Sequence, residues 1–431
     1  MEEAIPLGPE DRTILRVEGP TVAGHTCKVI AIGTGAPDVT ALRASIAQRL
    51  PAVPQLTWRL DGDEAAPAWI VDQDFDIDRH VTAARRDTPV DDAGLTAEVA
   101  HQFEERLDRQ RPLWHMELVP TRDGAAIVWR IHHALADGTT GMRFAKEILW
   151  DAAAAASAAT STAHPAHPAQ AADDERRRQH LAGFLHREFA RSHTRSPFDG
   201  SIGTRRTVSF ATVALQPLHD AAKAHCQATL NDAVLSVVAG ALRRWILAHH
   251  GELGDVRVRV PVSLHHEGDD ALNRDSFFSV ALPLNEADPC QRLLAVHAAT
   301  RERKADHDAE TMDELLDRLG KVSPRLRDLA RQIEGSPRRF AVNVSNVPGP
   351  RHAVSVLGAP VRGLHSIAEI GERHALRVAV VSMAGRLGFG FCADPAIVTD
   401  LDAMARGVEA ETESLCAAVA RGADGADAVR A

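Results

Sequence analysis

From Asp151 to Gln170 the chain reads DAAAAASAATSTAHPAHPAQ, ten alanines in twenty residues with two His-Pro steps near its end. Alanine favours helix, but this stretch has no apolar stripe to bury, and Pro165 and Pro168 break it. It predicts a linker, and a linker there constrains the 431 residues to two parts. The expected division is 1–150, a linker with a connecting helix over 151–203, and 204–431. Both outer parts are near the usual size of a domain. His164 and His167 within the linker are read as solvated rather than metal-binding.

Both parts mix strands with helices. In the first, Asp38 to Arg49 reads as a helix with Asp38 as its N-cap, and Thr96 to Leu107 as another. Leu118 to Val119 and Ala126 to His133 read as strands around an Asp123-Gly124 turn, and Thr139 to Trp150 as a helix. In the second, Asp232 to His249 carries Val234, Leu235, Val238, Leu242, Trp245 and Ile246 at helical spacing. Asp255 to Ser263 alternates valine with arginine and reads as a half-buried strand. Further strands are expected at Phe277 to Leu284, Phe340 to Ser345, Leu376 to Met383 and Arg386 to Cys392. Helices are expected at Gln291 to Asp306, Met312 to Leu319, Pro324 to Glu334 and Asp400 to Val419. Strands and helices do not alternate strictly, so a layered α/β fold of two related halves fits better than a doubly wound parallel sheet.

Composition removes several classes of function. Lys plus Arg is 49 against 59 Asp plus Glu, a net −10, which argues against a nucleic-acid binder. There is no tyrosine, so no step can use a phenol as its acid or base. The five cysteines (Cys27, Cys226, Cys290, Cys392 and Cys416) never fall in a CxxC and read as reduced thiols of a cytoplasmic protein. The start, Met1-Glu2-Glu3, is acidic and no run approaches a membrane span. A cytoplasmic chain is therefore expected, with association at the inner face of a membrane or a lipid droplet left open.

Arg130-Ile131-His132-His133-Ala134-Leu135-Ala136-Asp137-Gly138 is the stretch richest in chemistry. It lies where a strand stops and a helix starts, a place for side chains that must be both fixed and accessible. Strand alternation puts His133 with Ile127, Trp129 and Ile131, and His132 on the other face with Val128 and Arg130. Two histidines so divided do not readily grip one metal ion. At the end of an apolar stripe, desolvation would hold His133 neutral and able to take a proton from a hydroxyl. Asp137 could pin the turn or hold an arginine, and Gly138 permits the sharp path into the helix. The same residues also read as two structural histidines ahead of an ordinary Asp-Gly turn.

His-His-x-x-x-Asp-Gly resembles the active-site motif of the coenzyme A-dependent acyltransferase superfamily, which includes chloramphenicol acetyltransferase and the peptide-synthetase condensation domains. More closely, the chain resembles the bacterial wax ester synthase/diacylglycerol acyltransferase family. Arg111-Pro112-Leu113-Trp114 looks like its Pro-Leu-Trp segment, and Asn231-Asp232 like its Asn-Asp helix start. Val344-Ser345-Asn346-Val347-Pro348-Gly349-Pro350 looks like its Ser-Asn-Val-Pro-Gly-Pro turn. Four motifs in register, from about Leu7 to about Val419, make the likeness specific. One departure is Ser382-Met383-Ala384-Gly385, where the family commonly has Ser-Tyr-x-Gly.

The resemblance implies a two-lobed fold, each lobe an α/β sandwich, with a tunnel between them. It implies an O-acyltransferase moving a long-chain acyl group from acyl-CoA to diacylglycerol or a fatty alcohol, with no metal and no cofactor beyond acyl-CoA as co-substrate. His133 would be the general base, His132 its support, and Asn231 a donor to the oxyanion. Asp137 would face away from substrate in an ion pair, for which Arg59 is the expected partner. Pro112, Leu113, Trp114, Asn343, Ser345 and Asn346 are the candidate substrate contacts, and Asn273 resembles a family position near the lobe junction. The alternative is a condensation-type enzyme acylating another alcohol or amine, with a carrier protein as partner and donor. A third possibility is a non-catalytic lipid-binding relative.

Overall fold

The computed structural model describes residues 4–62, 66–86, 88–151, 196–263, 272–273, 275–305, six positions between 311 and 323, and 340–430. The expected linker, with His164 and His167, falls almost wholly outside these residues. So does the helix Pro324 to Glu334, and so does most of Met312 to Leu319.

The strands in chain order are β1 Ile5–Pro6, β2 His25–Ile32, β3 Trp58–Asp61, β4 Ala68–Val71 and β5 Val81–Ala83. They continue with β6 Trp114–Thr121, β7 Gly124–His132, β8 Thr207–Ala214, β9 Val256–Ser263 and β10 Asp275–Leu282. The last are β11 Val342–Val347, β12 Ser355–Val356, β13 Ala359–Ala368, β14 Leu376–Met383 and β15 Arg386–Ala393. Among the helices, α1 is Pro9–Val17, α2 Val39–Arg49, α3 Ile77–His80, α4 Asp92–Glu104 and α5 Gly138–Ile148. In the second half, α6 is Leu215–Cys226, α7 Leu230–His250, α8 Pro289–Ala305 and α9 Leu401–Arg430.

Two six-stranded sheets form the two lobes, ordered β12-β13-β2-β7-β6-β5 and β10-β9-β11-β14-β15-β8, with a small β1-β4-β3 sheet beside the first. Local chemistry sets most elements. Asp38 caps α2 by accepting from the Ala41 N–H at 2.8 Å. Thr229 and Asp232 form a reciprocal capping box that starts α7. In β9, Val256, Val258 and Val260 are buried while Arg257 and Arg259 are half-exposed, as period-2 alternation requires. Their buried face belongs to one apolar cluster with Val234, Leu235 and Val238 of α7.

The first sheet is completed from the far end of the chain. β13 pairs antiparallel with β2 from Val361 to Ala368, so residues 355–368 belong to the lobe of 1–150 rather than to that of 204–431. β13 also packs across β14 and β15 of the second sheet. That crossing is close: a Cβ on Gly388 or Gly390 would collide with the carbonyl oxygen of Leu364 or Ser366. A buried ion pair ties the same junction, with Arg206 Nε at 2.8 Å from Glu369 Oε1. Glu369 Oε2 also accepts from the Ala23 N–H at 3.0 Å, and Arg206 reaches the Thr21 carbonyl.

Candidate active site

His132 ends β7 beside the start of β2, and His133 follows it in the turn. The His132 N–H donates to Leu113 O and the His133 N–H to Gly24 O, each at 2.9 Å. Gly24 has φ +71°, and a Cβ there would stand 2.6 Å from His132 Nε2, so only glycine fits. The His132 ring is buried and braces the turn that follows. Its Nδ1 accepts from the Ala134 N–H at 3.1 Å, which leaves the proton on Nε2, 3.3 Å from Glu18 Oε2. Burial pushes the Glu18 carboxyl up, but His132 and Arg109 outweigh it and hold it below its ordinary value.

His133 is the member of the pair that keeps accessible surface. Its Nδ1 lies 3.2 Å from Asn273 Oδ1. Asn273 Nδ2 donates to Asp11 Oδ1 at 2.7 Å and to Ala134 O at 3.3 Å. The amide is thereby oriented with its oxygen toward the ring. An amide oxygen only accepts, so Nδ1 carries the proton and Nε2 carries a lone pair. Burial first, and then the Arg377 guanidinium, bring the His133 imidazole down to about 4, against the opposing pull of Asp137. The ring is neutral at neutral pH, with one basic nitrogen.

Asp11 and Asn273 complete this arrangement from 262 residues apart. Asp11 sits in the first turn of α1, where its Oδ2 accepts from the Gly8 N–H at 3.0 Å. The Gly8-Pro9-Glu10-Asp11 start was its only sequence signal, and it reads as capping. Asn273 was visible as a family position whose loop location suggested nothing more.

Asp137 is fully buried and caps α5, with Oδ1 accepting from the Thr140 N–H at 2.7 Å. Its own N–H donates to Leu272 O at 3.3 Å, tying the turn to the segment that carries Asn273. Gly138 opens α5 against the second lobe, where a Cβ would stand 2.6 Å from Val347 Cγ2. The expected Arg59–Asp137 pair does not form. Arg59 lies on β3, and its charge goes to Asp61 at 3.5 Å and Asp72 at 3.8 Å.

The profile of the wax ester synthase/diacylglycerol acyltransferase catalytic domain matches residues 7–191, and that of the WS/DGAT C-terminal domain matches residues 273–415. The chain belongs to the wax ester synthase/diacylglycerol acyltransferase family. As a member it is an acyltransferase. It is 29% identical over 407 residues to the probable diacylglycerol O-acyltransferase tgs1 of Mycobacterium tuberculosis, covering 87% of each chain. It is 23% identical to the O-acyltransferase WSD of Acinetobacter baylyi, covering 75% of this chain and 78% of that one. The fold superposes on the wax ester synthase/diacylglycerol acyltransferase of Marinobacter aquaeolei VT8 with a TM-score of 0.72 at 21% identity, covering 96% of this chain and 100% of that one. A starter condensation domain of rhizomide synthetase, in complex with C8-CoA and Leu-SNAC, matches with a TM-score of 0.59 at 16% identity over 96% and 93%.

The other candidate residues of this acyltransferase lie around or away from His133. Pro112, Leu113 and Trp114 are buried, the last two with 0% and 1% of their surface accessible. Trp114 donates Nε1–H to Leu56 O at 2.7 Å and stacks on His80. Asn231 is in the first turn of α7, which packs on α6, α8, α9 and β10; no described contact brings it to His133. Asp232 beside it is buried as the capping-box residue, held by Thr300 at 2.6 Å and His297 at 2.9 Å.

On β11, Asn343 and Ser345 share the face of Val347, which meets Gly138. Asn346 does not. It pairs with Val380 and shares the helix-side face of the buried Val342 and Val344, because strand alternation separates neighbours in sequence. Burial pushes the Cys27 thiol up to about 12 and the Cys392 thiol well above its ordinary value, which disfavours the thiolate at both. Among the described residues no helix is long and apolar enough to cross a membrane.

Proposed function

We propose that this chain moves a long-chain acyl group from acyl-CoA to the hydroxyl of diacylglycerol or a fatty alcohol by direct attack. His133 Nε2 takes the hydroxyl proton while the oxygen attacks the thioester carbon. The tetrahedral centre then collapses, the C–S bond breaks, and the departing sulfur takes the proton back from Nε2. The products are an ester and free CoA, and the reaction needs no resident cofactor. A neutral lipid acceptor would be met at a membrane or droplet surface on the cytoplasmic side. The relatives named as diacylglycerol O-acyltransferase and O-acyltransferase WSD support the substrate class.

The observation that supports this mechanism is the Asp11–Asn273–His133 chain, in which a neutral ring keeps one basic nitrogen. Replacing His133 by Ala should lower turnover by roughly 10²–10⁴ in a protein that still folds. A near-normal rate would remove His133 as the base. Acyl-CoA and an acyl-carrier protein, compared as donors, separate this reading from a condensation-type enzyme, for which only the carrier would serve.

A further inference from the structure

α1 carries a carboxylate at each end, and each meets one histidine of the pair. Asp11, in its first turn, reaches His133 through Asn273. Glu18, its C-cap, reaches His132 directly. The Glu18 side chain is 2% exposed, and Arg109 Nε donates to its Oε2 at 2.8 Å. A second nitrogen of Arg109 donates to the same oxygen, and Arg106 lies 3.8 Å from Oε1. His132 and Arg109 hold this carboxyl below its ordinary value, so it is ionised at neutral pH. The missing side chain of Gly24 makes room for the contact, since a Cβ there would also stand 3.4 Å from Glu18 Cγ.

We propose that Glu18 is a positioning residue: by fixing the tautomer of His132 it holds the turn through which Asn273, and with it the His133 ring, is oriented. This rests on the reading of His133 as the base. An unbroken set of contacts runs from one to the other. Glu18 Oε2 lies 3.3 Å from His132 Nε2, and His132 Nδ1 accepts from the Ala134 N–H at 3.1 Å. Ala134 O accepts from Asn273 Nδ2 at 3.3 Å, and Asn273 Oδ1 faces His133 Nδ1 at 3.2 Å. The first link decides the second. A neutral imidazole has one N–H, and a carboxylate beside Nε2 draws the proton there and leaves Nδ1 to accept. The other tautomer would set Nδ1–H against the Ala134 N–H, donor against donor. The turn would then have to open, and Ala134 O would no longer fix the Asn273 amide.

Two variants test the proposal. Glu18→Met keeps the length of the side chain and removes the acceptor. Glu18→Gln can keep an amide oxygen in the place of Oε2, because Arg106 at the other oxygen is 55% exposed and can move away. Arg109 is 39% exposed and keeps Leu15 O as an acceptor, so neither variant strands a buried charge. In protein shown to be folded by circular dichroism, Glu18→Met should lower kcat about 10–100-fold, with the KM for acyl-CoA changing far less. Nitrogen-15 NMR of the histidine rings reads the tautomer, the His132 signals being assigned by their loss in His132→Gln. They should report the proton on Nε2 in the wild type and a shift toward Nδ1 in Glu18→Met. Glu18→Gln should restore the wild-type tautomer and most of kcat. A merely structural carboxylate would lower the denaturation midpoint and leave both kcat and the tautomer of the folded enzyme unmoved. That result in Glu18→Met would overturn the proposal. So would a fall in kcat with the tautomer unchanged, or a glutamine variant no better than methionine. If His133→Ala is inactive while Glu18→Met turns over as wild type, only this inference fails; if His133→Ala is active, the mechanism beneath it fails first.

Discussion

Asn273 is the most informative residue to perturb, because it links His133, the proposed base, to a carboxylate through one amide. Asn273→Ala removes the acceptor of His133 Nδ1–H at 3.2 Å and the donor to Asp11 Oδ1 at 2.7 Å. A hydrogen bond to a charged group is worth about 1.5–3 kcal/mol and a neutral one about 0.5–1.5, so stability should fall by roughly 2–4 kcal/mol. The larger effect is on rate. A ring without its Nδ1 acceptor can turn or change tautomer, and misplacement of a reacting group on the order of 1 Å costs about 10²-fold. We therefore expect kcat to drop roughly 10–100-fold in protein shown to be folded by its circular dichroism. Asn273→Asp gives a different result. Its carboxyl meets Asp11 at the same short distance and brings negative charge to the ring. The acid limb should then move upward while part of kcat survives. A folded Asn273→Ala enzyme with kcat within about twofold of wild type and an unmoved limb would refute the reasoning.

Three further outcomes follow from the geometry. With the His133 imidazole held at about 4 rather than 6.5, activity should persist down to about pH 5, and a break near 6.5 would contradict the burial of the ring. Because its folded value is depressed, the neutral ring's contribution to stability is full above about pH 6.5 and is lost as pH falls through the window down to about 4. Gly138→Ala drives a Cβ to 2.6 Å from Val347 Cγ2 and should cost about 1–3 kcal/mol in urea unfolding. Adding Val347→Ala should recover much of that cost, and no recovery would show that the clash lies elsewhere. Glu369→Gln leaves Arg206 buried without its counter-charge and sets an amide against the Ala23 N–H. Stability should fall by about 3–5 kcal/mol, read from the denaturation midpoint.

Where a segment had one face to bury, its sequence showed the structure. The valine–arginine alternation of β9 and the apolar stripe of α7 are direct imprints of a half-buried strand and a core-facing helix. The capping aspartate of α2 is equally local. β2 and β13 left no such imprint. β2 is covered on both faces and carries Lys28, so it shows no period 2; β13 alternates only in short runs, broken where its register slips between Val361 and Gly363, and it contains Pro360. The candidate site divides in the same way. His132, His133 and Asp137 are contiguous and their turn could be read from spacing. Asn273 reaches His133 and Asp11 only because the two lobes close, and no local pattern encodes those contacts. Arg59 failed as a partner for the same reason, since its nearest carboxylates are those of its own small sheet.

The pairing of β13 with β2 also bears on synthesis. As the chain leaves the ribosome, β2 emerges about 330 residues before β13 is complete, and β7 about 230 before it. At roughly 5–20 residues per second, the first sheet waits on the order of tens of seconds with the β2 edge unsatisfied. An open hydrophobic edge is a template for pairing with another nascent chain. Slow translation or crowded polysomes should therefore cost yield at this one seam, and a chaperone that shields strand edges should restore it.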